Sequence, residues 1–141
     1  MALAGVLLPA TLPARADTVL PIPAELRRSA GLDPFYQKYT RVGSLPIVGS
    51  PKVPDFALLQ PAYIIRNMLA GRDDVLQALA TNGVKIVVMA YNEYTTDLPE
   101  QRDMKPTAFW DSRARGLGGS TCSGAEENLL CYPGDPYATE N

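Results

Sequence analysis

The sequence predicts an α+β fold with a small mixed sheet, a backing helix and a long irregular loop region, and three observations carry that expectation. Apolar residues recur at helical spacing through residues 55–71. The run VKIVVMA, residues 84–90, is β-branched and almost wholly apolar, the pattern of a strand covered on both faces. From residue 91 to residue 127 the chain is rich in turn formers and shows little periodicity.

The elements follow in chain order. The opening MALAGVLLPATLPARADT has an apolar run over residues 2–8, then Pro9 and Pro13, and Ala14-Arg15-Ala16 before Asp17. That is a cleavage pattern, so residues 1–16 read as a signal peptide and the mature chain as secreted. No basic residue precedes Arg15, which departs from the usual signal pattern and suggests a clipped start. The alternative is an amphipathic arm kept in the mature protein. No segment approaches the roughly 20 apolar residues of a transmembrane helix, so no membrane association is expected after cleavage. Residues 17–32 look like a lead-in arm with a short polar helical turn, and the folded domain is expected over residues 33–141.

Residues 45–48 form a short apolar strand, which Pro46 places at a sheet edge or a strand start because proline cannot donate to a ladder. In PDFALLQPAYIIRNMLAGR, Leu58, Ala62, Ile65 and Leu69 share one helical face, with Leu59 and Tyr63 beside them. Asp55 can cap this helix and Gly71 can stop it. Pro61 either kinks the helix or marks its true start, and the kink is the preferred reading. DDVLQALATNG is a second, shorter helix, acidic in its first turn and closed by Asn82-Gly83. In the loop region, Tyr91, Tyr94, Phe109 and Trp110 are expected to pin the chain to the domain body rather than to stack on a ligand.

Composition narrows the functions. A chain of 141 residues with 46% hydrophobic content suits one globular domain. Thirteen Lys plus Arg against fifteen Asp plus Glu leave a net charge of -2 and no basic stripe, so nucleic acid is not an expected partner. There is no histidine, the commonest zinc ligand and the usual general base near neutral pH.

Single motifs are weak. GLGGS, residues 116–120, lacks the spacing of a phosphate loop and reads as a flexible turn. Glu126 and Glu127, adjacent on a strand, would point to opposite faces, so a solvated edge suits them better than an acid and base pair with Asp135. Tyr94, Thr95, Thr96 and Asp97, with Arg113 and Arg115, offer polar groups without defining a chemistry. Cys122 and Cys131 are the only cysteines, and in an exported chain they are expected to form a disulfide, the alternative being two buried thiols.

The stretches LDPFYQKY, LPIVGSPKVPDFALLQPAYIIRNMLAG, VVMAYNEYTTDLPEQRDMKP, WDSRARGLGG and EENLLCYPGDPYATEN span about residues 31–141. Together they resemble the N-terminal part of secreted zinc metallopeptidase-like proteins related to the anthrax lethal factor catalytic domain. The resemblance implies a partial zincin-like fold, with FALLQPAYIIRNMLAG as backing helix, VKIVVMA as a central strand and NLLCY as a strand near the cleft. It also implies a substrate cleft lined by Gly116, Leu117, Gly118 and Gly119, and an H-E-x-x-H helix following the segment that ends at Asn141. Residues 33–141 then read as an incomplete metallopeptidase-like domain. Zinc catalysis needs imidazole or carboxylate ligands and a Glu that activates the bound water. No catalytic or metal-binding residue is carried over to this chain; zinc, and a peptide or protein substrate, are expected only of a full-length relative.

Three functions remain as expectations: an exported metallopeptidase scaffold, inactive as given; a complete small secreted binding or inhibitory module; and, most distantly, a carboxylate-based glycoside hydrolase using Glu127 and Asp135.

Overall fold

A computed structural model of the chain describes residues 18–130, and its sheet grows from a tight hairpin. Strand β2 (Lys38–Val42) turns through Gly43 and Ser44 into β3 (Leu45–Gly49), in antiparallel register from Lys38↔Gly49 to Val42↔Leu45. Gly43 has φ +55, and a Cβ there would lie 3.1 Å from Leu76 Cδ1, so glycine answers both the turn and the packing. Pro46 stands at the start of β3, one residue before the parallel ladder to the next strand begins at Ile47↔Ile86. Its missing N–H therefore costs no bond in that ladder.

Helix α2 (Asp55–Met68) and helix α3 (Asp73–Thr81) carry the chain across the sheet to β4 (Lys85–Met89), parallel to β3. The helical face expected from spacing is the buried one: Leu58 and Ala62 are fully buried, and Ile65 and Leu69 pack on the same core. Tyr63, expected beside that face, is exposed. α2 is a single element through Pro61, which is buried. Its N-cap is Pro54, not Asp55; the Asp55 carboxylate pairs instead with Lys38 Nζ at 3.0 Å.

Beyond β4 the irregular region expected from the sequence proves more ordered. It holds a 3-10 turn (Thr95–Asp97), α4 (Thr107–Arg113), β5 (Gly116–Leu117) and β6 (Thr121–Ala125). β6, TCSGA, runs parallel to β4 from Lys85↔Thr121 to Met89↔Ala125. Its small and polar residues carry no strand periodicity, so the ladder with β4 decides its conformation. β5 adds to β6 antiparallel, Gly116↔Gly124 and Leu117↔Ser123, and among the described residues the strand order is β1-β2-β3-β4-β6-β5, with β1 at Leu20–Pro21.

Side chains alternate across this sheet and feed two cores. Ile47 and Val88 face α2 and α3 with Leu58, Ala62 and Leu76, whereas Val48, Val87 and Met89 face Leu32, Tyr36, Leu98 and Ala125. β4 is thus covered on both sides, as its composition implied. The second core also takes Ile22, Leu26 and Ala30, the last two at helix α1 (Ala24–Ser29), while β1 pairs with β2. Of the lead-in arm expected over residues 17–32, the described part, residues 18–32, therefore packs into the fold. Arg27 ties them in by donating to the carbonyls of Asp33 at 2.7 Å and Tyr36 at 2.8 Å.

The segment NLLCY, expected as a strand, begins as helix. α5 (Glu126–Leu130) follows β6 directly, and its Leu129 and Leu130 pack against the α2 core, a burial that a strand continuing along β4 would forgo. No helix among the described residues is long and apolar enough to cross a membrane.

Candidate functional site

The carboxyl ends of parallel β4 and β6 lie side by side, the place where open α/β sheets gather polar groups for binding or catalysis. Past β4 the chain turns sharply, with the Glu93 N–H donating to the Ala90 carbonyl at 3.0 Å. The Glu93 side chain folds back and accepts from the Ala90 N–H at 2.8 Å. Glu93 is 1% exposed, and its other oxygen, Oε1, has no hydrogen-bond partner among the described residues.

Arg115, just before β5, reaches into the same turn. Its guanidinium donates to the carbonyls of Glu93, of Ala90 at 3.3 Å and of Tyr91 at 3.3 Å, while Nε donates to Glu127 Oε1 at 2.6 Å. Glu127 stands in the first turn of α5, so one side chain bridges the turn after β4 and the start of α5. The five-donor fork of arginine suits such a task; a lysine could not satisfy it. Farther round the rim, Thr95 Oγ1 donates to the Ala114 carbonyl, and Asp111 accepts from the N–H and hydroxyl of Thr96 at 3.0 and 2.9 Å.

Among the residues singled out from sequence, Glu126 and Glu127 are corrected: neither lies on a solvated edge. Both open a helix, Glu126 is 2% exposed and Glu127 is half-buried against Arg115. The error follows from reading the segment as a strand. Tyr91, Tyr94 and Phe109 are corrected too, since they are exposed by 69%, 54% and 44% and anchor nothing in a core. Trp110 is half-buried and donates from Nε1 to the Lys105 carbonyl at 3.3 Å.

GLGGS divides. Gly116 and Leu117 are strand, while exposed Gly118 and Gly119 make the turn into β6, Gly119 with φ +136. A Cβ on Gly116 would stand 2.8 Å from the Ser123 carbonyl oxygen, so only glycine permits this close strand approach. Cys122 is half-buried on β6 beside Ile86, and its expected partner Cys131 lies outside the described residues, as does Asp135. Sequence reasoning missed Glu93 and understated Arg115, because their roles come from a turn and a reach across strands that no local spacing announces.

Among the described residues, no group of three or more His, Cys, Asp or Glu side chains is placed to hold a metal ion. What the site offers is a rim of exposed aromatics, a guanidinium holding three carbonyls, and the outer edge of β5, the last strand of the sheet among the described residues. Such an edge can accept an extended peptide as one more strand. No family model, curated protein or solved structure matches the chain.

Proposed function

We propose that this chain is a scaffold portion of an exported zinc metallopeptidase-like domain, inactive by itself, whose β5 edge receives an extended peptide. The observation that carries the reading is the combination of a mixed sheet with β4 inside it, α2 laid across one face, and a short terminal strand whose neighbouring Gly118 and Gly119 leave the approach open. The reading is supported by α2 packed on one face of the sheet and by β4 paired on both sides within it. The chain has no histidine, and among the described residues no set of three or more His, Cys, Asp or Glu side chains converges on a zinc position. No catalytic step is therefore assigned to it.

Calorimetric titration with zinc is the test. The 141-residue chain, a short form without H-E-x-x-H, is expected to show no stoichiometric zinc binding and no chelator-sensitive peptide cleavage. Tight one-to-one zinc binding or chelator-sensitive proteolysis by the short form overturns the reading.

A second reading, a small secreted binding or inhibitory module, draws on exposed Tyr91, Tyr94 and Phe109 at the rim. It predicts a saturable peptide complex formed by the short form alone. The carboxylate hydrolase is the weakest of the three, since Glu127 Oε1 is engaged by Arg115 at 2.6 Å.

A further inference from the structure

We propose that Arg115 is a conformational latch that makes the order of α5 and the order of the turn at residues 90–93 conditional on each other. Two contacts from outside hold the described part of α5, Glu126–Leu130: Leu129 and Leu130 pack against the α2 core, and the Glu127 carboxylate is held by Arg115 Nε at 2.6 Å.

The turn past β4 has the same dependence. The backbone carbonyls of Ala90, Tyr91 and Glu93 converge on the Arg115 guanidinium, which thereby satisfies acceptors that would otherwise repel one another. The side chains of Arg115 and Glu127 are 25% and 21% exposed, enough burial for charge-assisted bonds to outlast ordinary salt screening. Because guanidinium orientation is shared between Nε and the two Nη groups, losing either set of acceptors frees the plane to rotate away from the other. Arg115 lies 22 positions after Glu93 and 12 before Glu127, and it bonds to both. The latch is independent of any peptidase reading.

The test uses the full 141-residue chain, with backbone NMR order parameters as readout. In Glu127→Ala, which removes the Nε acceptor and leaves every Arg115-to-carbonyl donor in place, order parameters over Glu126–Leu130 are expected to fall from about 0.85 toward 0.6 or less. Those of Tyr91, Asn92 and Glu93 should fall with them, while β2, β3 and β4 hold their values. Arg115→Met should loosen both segments, and the double variant should go no further than Arg115→Met alone. Glu127→Gln, whose amide oxygen can still accept from Nε, should restore part of the order in both segments together. A Glu127→Ala chain in which only α5 loosens, or in which neither segment changes, overturns the latch. Should Arg115→Met unfold the chain, the Glu127→Ala spectra decide alone.

Discussion

Tyr36 shows how one buried polar atom is made affordable. Its ring is fully buried in the second core, stacked edge-on to Phe35 at 5.3 Å, and its hydroxyl donates to Glu100 Oε2 at 2.5 Å. Glu100 in turn holds Lys85 Nζ at 2.6 Å, where β4 begins. Burial, then the Glu100 hydrogen bond and its negative charge, push the Tyr36 phenol well above its ordinary value of 10.0. The sign of the linkage follows. Below pH 10 both states hold the proton; above it the unfolded chain releases a proton that the folded chain retains, so stability falls as pH rises. Tyr36→Phe is expected to cost about 1 kcal/mol at neutral pH and to flatten this alkaline loss. Urea midpoints between about pH 8 and pH 11 check both parts; a variant as steep as the parent would mean that other groups cause the loss.

At the scale of elements, two glycines and one leucine set the framework. Gly43 holds the β2–β3 turn at φ +55 with Leu76 Cδ1 3.1 Å from where a Cβ would stand. Gly43→Ala should therefore lower stability by about 1–2 kcal/mol through left-handed strain and crowding of α3. Gly116→Ala drives a Cβ to 2.8 Å from backbone, so β5 must move off β6, with a loss of about 1–3 kcal/mol. Under the peptide-edge reading it also abolishes strand addition, which a peptide titration of the folded variant measures. Leu58→Ala removes the centre of the α2 contact and should cost about 2–5 kcal/mol by chemical denaturation. A loss below 1 kcal/mol there would mean that α2 does not seal the first core.

For the whole molecule, the sheet divides the interior in two, and α2 is the element with apolar surface to spare. Phe56, Tyr63 and Met68 on its outward side are 75%, 62% and 74% exposed, more than a solvated helix needs. A paired Phe56→Lys, Met68→Lys chain should bind less hydrophobic dye and stay soluble at higher concentration, with stability changed by no more than about 0.5 kcal/mol. Unchanged dye binding would locate the sticky surface elsewhere.

Much of this fold was legible one segment at a time. The α2 stripe of Leu58, Ala62, Ile65 and Leu69, the acidic start of α3 and the buried run of β4 all obey a period of 3.6 or a continuous apolar composition, and such patterns are local. Strand β3 was legible in the apolar run 45–48, whereas its partner β2, KYTRV, is too polar to announce itself as a strand and takes its conformation from the ladder with β3. By itself the sequence also determined that no histidine chemistry operates in this chain. Tertiary structure alone decided that TCSGA is a strand, since β4 supplies its hydrogen bonds, and that Glu126 and Glu127 open a helix, since α2 offers Leu129 and Leu130 a place to bury. It also decided that Arg115 joins the turn past β4 to α5, because five donors and a long side chain find their acceptors by distance in space, which no spacing along the chain encodes.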